Sequence, residues 1–295
     1  MRLIKIILLF LTAFVISLHG ITAQAAIHII AAENVYGDIA QQIGGRYVSI
    51  SSVLNSPSQD PHLFSMKPSI AKQAAEADII IYNGADYDPW VKSLLAIQGQ
   101  KRRSVINVAQ LMGIRSGSNP HLWYLPETMP RFAEQLTSQL QQLDPAHQDY
   151  FGSRLKQFKQ NYQIILDKIA TLKNRFQHTP VIATESIFNY MADSIGLVMH
   201  GKAFQISIMN DVPPSISQIK QFESDLRQHT VRVLIYNKQV MNPMTNRMIA
   251  IASEEKIPVV GVSEMIPPDT TFVEWMINQL NELEKALANK HEPHS

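Results

Sequence analysis

The stretch from Asp144 to Phe176, DPAHQDYFGSRLKQFKQNYQIILDKIATLKNRF, shows no strand pattern and decides the fold. Asp144 followed by Pro145 is a favourable helix start, because Asp caps a helix and Pro fits its first turn. Apolar residues then recur at steps of three and four, at Phe151, Leu155, Phe158, Tyr162, Ile165 and Ile169. This spacing predicts one helix of roughly 31 residues, about 46 Å long, whose apolar stripe packs into a core.

Short apolar runs rich in β-branched residues alternate with helical patterns on both sides of this helix. Before it, the predicted strands are Ile27–Ala32, Tyr47–Val53, Asp78–Tyr82 and Ser104–Val108, and the predicted helices are Val35–Ile43, Ser69–Ala77 and Pro89–Ile97. After it, the predicted strands are Val181–Thr184, Gly196–Met199, Val231–Tyr236 and Pro258–Val262, and the predicted helices are Ile187–Ser194, Ser215–Arg227, Pro243–Glu255 and Thr271–Ala288. Such alternation indicates parallel sheets covered by helices. The sequence therefore predicts an α/β protein of two lobes, each a mainly parallel sheet, joined by one long helix.

The first 25 residues are predicted to be a cleaved signal peptide. Basic Arg2 and Lys5 precede an apolar run over Ile6–Leu18, and Ala23-Gln24-Ala25 supplies the small residues that signal peptidase recognises. The run of about 13 residues is shorter than the roughly 20 that span a bilayer. The predicted organisation is signal peptide 1–25, N-terminal lobe 26–144, linker helix 145–177, C-terminal lobe 178–288 and polar tail 289–295.

Composition narrows the chemistry. Of 295 residues, 45% are hydrophobic, which suffices for a core, and the net charge of +1 shows no electrostatic footprint for nucleic acid. The chain contains no cysteine, so disulfides, a Cys nucleophile, iron–sulfur clusters and thiolate metal sites are excluded. A lipid anchor on a mature N-terminal Cys is excluded on the same ground. We therefore expect a protein in the periplasm without a lipid anchor, in which any metal is held by nitrogen and oxygen.

Two histidines, His62 and His121, lie in Pro-His pairs within predicted loops of the first half of the chain. His62 occurs in Gln59-Asp60-Pro61-His62-Leu63-Phe64, just after the second predicted strand, and His121 occurs in Asn119-Pro120-His121-Leu122-Trp123-Tyr124. Either one alone fits an ordinary loop histidine. Two such pairs in the same half favour a metal site, because metal sites need ligands that are oriented in advance.

The second half places carboxylates at the ends of two predicted strands. Glu185 ends Val181-Ile182-Ala183-Thr184-Glu185, and Glu264 ends Pro258-Val259-Val260-Gly261-Val262-Ser263-Glu264. Ligands of open α/β sheets bind beyond the carboxyl ends of the strands. A Glu at a helix start can instead be a cap or a partner of the helix dipole. Together with the two histidines, these residues could form a four-point nitrogen and oxygen site across a cleft.

The chain resembles the metal-binding solute-binding proteins of zinc and manganese ABC transporters, from Ala31 to about Leu283. The stretches that carry the resemblance are Ala31–Ala40, Asp60–Phe64, Asn83–Trp90, Asn119–Trp123, the Glu185 turn, Tyr236-Asn237-Lys238-Gln239 and Ile257–Pro268. The family implies two α/β lobes bridged by one rigid long helix, with the metal in the cleft between the lobes. Its ligand positions correspond here to His62, His121, Glu185 and Glu264. It also implies delivery of the metal to a membrane permease with a cytoplasmic ATPase, and we expect a monomer.

Several departures from the family bear on the metal. The segment Gly113–Asn119 is short and has no His, where zinc members often carry a long His-rich loop; Glu185 stands where typical zinc members have His, and Asn119 and Glu264 stand where Asp is common. Two imidazoles and two carboxylates form a harder ligand set, which moves preference toward manganese or iron, yet zinc binds almost any such site more tightly. The sequence leaves zinc and manganese open.

Two other classes of function are alternatives, and the first of them would use the same residues. A periplasmic metal-dependent hydrolase would need an open coordination position and a general base. However, His291-Glu292-Pro293-His294 has the wrong spacing for a zinc hydrolase motif, and no Gly-x-Ser-x-Gly occurs. A binding protein for another solute, or an adhesin, should show clustered aromatics near the strand ends, where only Trp90 and Trp123 stand out. We therefore expect a binding protein and not an enzyme.

Overall fold

The computed structural model describes residues 26–57, 64, 67–98, 103–210 and 212–289. These residues form two α/β lobes, each built on a four-stranded parallel sheet covered by helices, with one long helix between them. The predicted fold class is thereby confirmed. Among the described residues, no helix is both long and apolar enough to cross a membrane.

The N-terminal lobe has the strand order β2-β1-β3-β4. The strands are β1 (Ile27–Glu33), β2 (Val48–Leu54), β3 (Ile79–Tyr82) and β4 (Ser104–Asn107), and the helices are α1 (Asn34–Gly44), α2 (Pro68–Glu76), α3 (Val91–Leu95), α4 (Val108–Met112) and α5 (Thr128–Leu143). Ile29 in the central strand pairs with Ile50 on one side and Ile79 on the other. β1 is buried along nearly all its length because helices cover both faces of the sheet.

The C-terminal lobe repeats this topology with the order β6-β5-β7-β8. Its strands are β5 (Pro180–Ala183), β6 (Val198–His200), β7 (Leu234–Asn237) and β8 (Val259–Val262), and its helices are α7 (Asn189–Ile195), α8 (Lys202–Met209), α9 (Ile216–Arg227), α10 (Pro243–Glu254) and α11 (Phe272–Ala288). β7 begins three residues later than predicted, after a bend at Arg232. Helix α8 was not predicted, and it buries only Phe204 and Gln205 against the lobe.

The long helix α6 (Gln148–Phe176) has 29 residues and is about 44 Å long. A 3₁₀ turn over Pro145–His147 precedes it, and Asp144 does not cap the helix. Instead, the Asp144 Oδ2 atom lies 2.6 Å from the Nδ1 atom of His147. The helix packs against α1 and α5 of the N-terminal lobe and against α7 and α11 of the C-terminal lobe. Its buried stripe joins the cores of both lobes into one cluster.

Each sheet changes winding direction between its two central strands, which is where open α/β sheets bind ligands. In the N-terminal lobe, Glu33 ends β1 and Asn83 directly follows β3. In the C-terminal lobe, Glu185 lies two residues beyond β5, and Asn237 ends β7. The equivalent ends of the two sheets therefore carry the same pair of residue types, Glu and Asn.

Candidate metal centre

The structure brings together three of the four predicted ligands. One ligand atom each of His121, Glu185 and Glu264 lies within 4.8 Å of the others, and all three side chains are buried. His121 Nε2 is 3.6 Å from Glu185 Oε1. Two ligands that each lie about 2.1 Å from a tetrahedral ion are about 3.4 Å apart, so this spacing suits a shared ion. His62 lies outside the described residues.

Asn119 orients the imidazole of His121. The Asn119 Oδ1 atom accepts hydrogen bonds from the His121 backbone N–H, at 3.1 Å, and from Nδ1, at 2.7 Å. The Asn119 amide group donates in turn to the carbonyl of Ser186 in the other lobe, at 2.7 Å, which distinguishes its nitrogen from its oxygen. An acceptor at Nδ1 places the ring proton there and leaves the Nε2 lone pair for a metal. Asn119 therefore orients the His121 ring, and it also links the lobes.

Glu185 extends from the end of β5 into the cleft. It precedes the 3₁₀ turn Ser186–Phe188, but its side chain does not cap that turn, which argues against a capping role. The Asn237 amide donates to Glu185 Oε2 at 3.0 Å. Glu185 is thus held with one oxygen on an amide and the other toward His121.

Glu264 is fully buried beyond β8 and is held from both lobes. The Asn237 amide donates to its Oε1 atom at 2.6 Å, and the Tyr87 hydroxyl of the N-terminal lobe donates to its Oε2 atom. Its backbone N–H donates to the Gln239 side chain at 2.6 Å. Burial, and then the charge of Glu264, raise the pKa of Tyr87 well above its usual value, so its hydroxyl stays protonated and remains a donor.

Asn237 and Tyr87 are site residues that the sequence analysis did not single out. Both lie in stretches that carry the family resemblance, and Asn237 ends a strand at the point where a parallel sheet binds its ligands. That position is the one sequence signal that could have identified Asn237. Tyr87 contacts a residue 177 positions away and has no comparable local signal.

A second carboxyl pair lies behind the site and is not part of it. Glu33 is fully buried; burial, followed by the charge of Asp88, raises its pKa well above the usual value. Burial also raises the pKa of Asp88 to about 6, although backbone N–H groups of Asn83 and Gly84 donate to its carboxylate. Glu33 is therefore a neutral acid beside an Asp88 carboxylate that caps the loop leading to Tyr87.

The site has an opening of about 240 Å³, lined on the N-terminal side by Asp86, Ser118 and His121 and on the C-terminal side by Met209 and Asn210. A larger cavity of about 520 Å³ lies between α3 and α4, and none of its lining residues belongs to the predicted ligand set. The arrangement of imidazole, carboxylates and a small opening suits an ion better than an organic solute.

Comparisons with known proteins identify the family of this chain. Residues 29–286 match the family model of zinc-uptake complex component A, periplasmic. The manganese ABC transporter substrate-binding lipoprotein PsaA of Streptococcus pneumoniae is 23% identical over 294 residues, covering 90% of this chain and 91% of that protein. The high-affinity zinc uptake system protein ZnuA of Bacillus subtilis is 21% identical over 257 residues, covering 79% of each.

The fold is shared with a solved structure, the periplasmic zinc-binding protein TroA from Treponema pallidum. The TM-score is 0.75 at 15% sequence identity, and the alignment covers 90% of this chain and 100% of the TroA chain. The family model covers far more than half of the sequence, from the first strand to the last helix. The chain therefore belongs to the family of zinc-uptake complex component A, the periplasmic substrate-binding component.

Proposed function

We propose that this protein captures one divalent transition metal, zinc or manganese, in the cleft between its lobes and delivers it to an ABC transporter permease. The ligands are His62, His121, Glu185 and Glu264. The observation that carries the proposal is the convergence of one imidazole and two carboxylates, all buried, within 4.8 Å. Two buried carboxylates at this separation cost much free energy unless a cation compensates them.

Family membership favours capture over catalysis, since members are substrate-binding proteins. PsaA is described as a manganese protein and ZnuA as a zinc protein, and each ligand type here serves either metal. We infer that the protein works as a monomer in the periplasm with a membrane permease and its cytoplasmic ATPase. The relatives are called lipoproteins in several cases, whereas this chain has no cysteine for a lipid, so we propose that it acts without an anchor.

The test is metal binding by metal-free protein. We expect one zinc or manganese ion per chain by elemental analysis, and competitive titration should give at least roughly tenfold weaker binding after His62→Ala or His121→Ala. His28→Ala is the matched control, because the His28 side chain is exposed on β1, away from the predicted ligands. Unchanged stoichiometry and affinity in the His62→Ala/His121→Ala double variant would refute the proposed site.

The hydrolase alternative predicts a different result. If the site were catalytic, ester or phosphate hydrolysis would depend on added zinc and would be lost with His121→Ala. We expect no such activity in zinc-loaded protein, together with a metal-dependent rise in melting temperature. Sustained turnover that His121→Ala abolishes and His28→Ala preserves would favour the enzyme.

A further inference from the structure

We propose that Asn237 makes the site selective for a metal of low coordination number, zinc in preference to manganese, by holding Glu185 to one-oxygen coordination. The inference rests on the proposed metal-binding function and extends it from the ligand set to the choice of metal. It assigns Asn237 as a positioning residue that acts through the two carboxylates.

The orientation of the Asn237 amide is determined by its neighbours. The Gln239 backbone N–H donates to the Asn237 oxygen at 3.0 Å, so the oxygen faces the backbone and the nitrogen faces the site. The nitrogen has two hydrogens and lies 3.0 Å from Glu185 Oε2 and 2.6 Å from Glu264 Oε1. Each hydrogen therefore has one carboxylate acceptor. Asn237 is fully buried at the end of β7, so close packing restricts its side chain.

This arrangement divides the two oxygens of Glu185 between two tasks. Oε1 lies 3.6 Å from the Nε2 atom of His121, where both could bind one ion, while Oε2 is bonded to Asn237. A metal that takes both oxygens has to share Oε2 with the amide, which weakens a buried hydrogen bond at a cost in free energy. Glu264 is held on both oxygens, by Asn237 at Oε1 and by Tyr87 at Oε2, so a metal binds it through a remaining lone pair and competes with two donors if it takes both oxygens.

One-oxygen coordination affects the two metals differently. In the proposed ligand set, the imidazoles of His62 and His121 and one oxygen from each carboxylate make four ligands, which is the usual number for zinc. Manganese prefers six oxygen-rich ligands, and the protein could reach six only if both carboxylates bound through both oxygens. Hydrogen-bond donors on the second carboxylate oxygens therefore favour zinc, which does not need those oxygens as ligands.

The test measures zinc and manganese affinities of the full-length protein by competition with chelators, for wild type, Asn237→Leu and Asn237→Asp. Leu removes the amide at similar volume, and Asp keeps the shape and the acceptor for Gln239 but removes both donors. We expect zinc affinity of Asn237→Leu to fall by roughly ten- to a hundredfold, as when other orienting partners are lost, and manganese affinity to fall less. The zinc-to-manganese affinity ratio should drop at least about tenfold in both variants.

Asn242→Ala is the matched control. Asn242 caps α10 in the same lobe, where its Oδ1 atom accepts from the Thr245 N–H at 2.9 Å, and its loss weakens a helix without touching the carboxylates. The ratio should be unchanged in this variant. If Asn237 only filled space, the zinc-to-manganese ratio would also be unchanged in Asn237→Leu and Asn237→Asp. That result would overturn the inference.

Cobalt in place of the metal gives an independent readout, and its wild-type measurement does not require the variants to fold. Wild-type protein should show the intense visible absorption of four-coordinate Co²⁺, and the weak absorption of six-coordinate Co²⁺ would refute one-oxygen coordination. In Asn237→Leu, the absorption should weaken toward the six-coordinate form. Wild-type protein that binds neither zinc nor manganese would refute the proposed function itself, whereas binding with an unaltered ratio in the variants refutes only the role of Asn237.

Discussion

At the residue scale, neutral amide and hydroxyl groups hold the metal ligands in position. His121, Glu185 and Glu264 are each held by a neutral donor or acceptor: Asn119 for the imidazole, Asn237 for both carboxylates and Tyr87 for Glu264. Neutral partners suit a site that must exist both with and without its cation, since they orient the ligands without adding charge.

Asn119 gives the first residue-scale prediction. Asn119→Leu removes the acceptor at His121 Nδ1, so the imidazole loses its fixed tautomer, and metal affinity should fall by roughly ten- to a hundredfold. Asn119→Asp restores an acceptor and should retain affinity within about tenfold of wild type. Competitive metal titration of the two variants checks this, and equal losses in both would show that Asn119 matters for packing and not for the ring.

The Glu33 and Asp88 pair gives a prediction about pH. A carboxyl group whose pKa rises on folding stabilises the protein while it is protonated, and that contribution is lost as pH rises through the folded-state pKa, about 6 for Asp88 and raised also for Glu33. Glu33→Gln keeps the shape and removes the titration. We therefore expect it to stabilise metal-free protein at pH 7 by on the order of 1–3 kcal/mol, and by less at pH 5.

Urea unfolding of metal-free wild type and Glu33→Gln at the two pH values provides the measurement. Histidines and other groups that are remote from Glu33 titrate in both proteins, so their effects cancel in the difference, which reports on the Glu33 and Asp88 pair. A variant that is less stable than wild type at pH 7, or whose advantage is the same at pH 5, would contradict the neutral state of Glu33.

At the scale of elements, the long helix α6 supports both lobes at once. Phe151, Phe158, Tyr162, Ile165, Ile169, Leu172 and Phe176 form its buried stripe. Most of these positions follow from the three- and four-residue spacing in the sequence, because a helix that packs on one side must repeat its apolar residues in this way. Leu155, which shares the spacing, is only partly buried.

Two adjacent isoleucines on α6 make a matched pair. Ile165 is fully buried, while Ile164, about 100° around the helix, is 55% exposed. Ile165→Ala should lower the free energy of unfolding by about 2–5 kcal/mol through lost burial and a cavity. Ile164→Ala should change it by less than about 0.5 kcal/mol, since surface substitutions usually do. If chemical unfolding showed equal losses of stability in the two variants, the burial of Ile165 and the exposure of Ile164 on α6 would be contradicted.

At the scale of the whole molecule, the lobes are joined by more than the helix. Asn34 exchanges two hydrogen bonds with the backbone of Ile266, at 2.8 and 3.0 Å, and the Tyr124 hydroxyl contacts Ser263 and Gln279 at 2.7 Å. These contacts cross the cleft close to Glu264. They predict a molecule that captures its metal without wide closure of the lobes.

Small-angle scattering tests this prediction. The radius of gyration should be the same in metal-free and metal-loaded protein, and differences should be confined to the loops at 185–188 and 264–271. The melting temperature should nevertheless rise, because a ligand at a thousandfold excess over its Kd stabilises the folded state by about 4 kcal/mol. A clear decrease in the radius of gyration on adding metal would contradict the rigid connection between the lobes.

The sequence by itself determined the α/β class, the two lobes, the long helix and a candidate ligand set of two Pro-His histidines and two strand-end glutamates. These features follow from local periodicity, capping and motifs, which are set by residues close together in the chain. His121, Glu185 and Glu264 come together in the structure, whereas His62 remains a prediction outside the described residues.

The tertiary structure decided which neutral groups hold those ligands and which carboxyl group stays out of the site. Glu33 and Glu185 occupy equivalent sheet positions, but Glu33 packs beside Asp88 and Glu185 faces His121. Tyr87 and Glu264 are 177 residues apart, and Asn237 and Glu185 are 52 apart. The first of these hydrogen bonds depends on how the two lobes dock on α6, and the second depends on the pairing of β5 with β7. No local pattern in the sequence records either geometry.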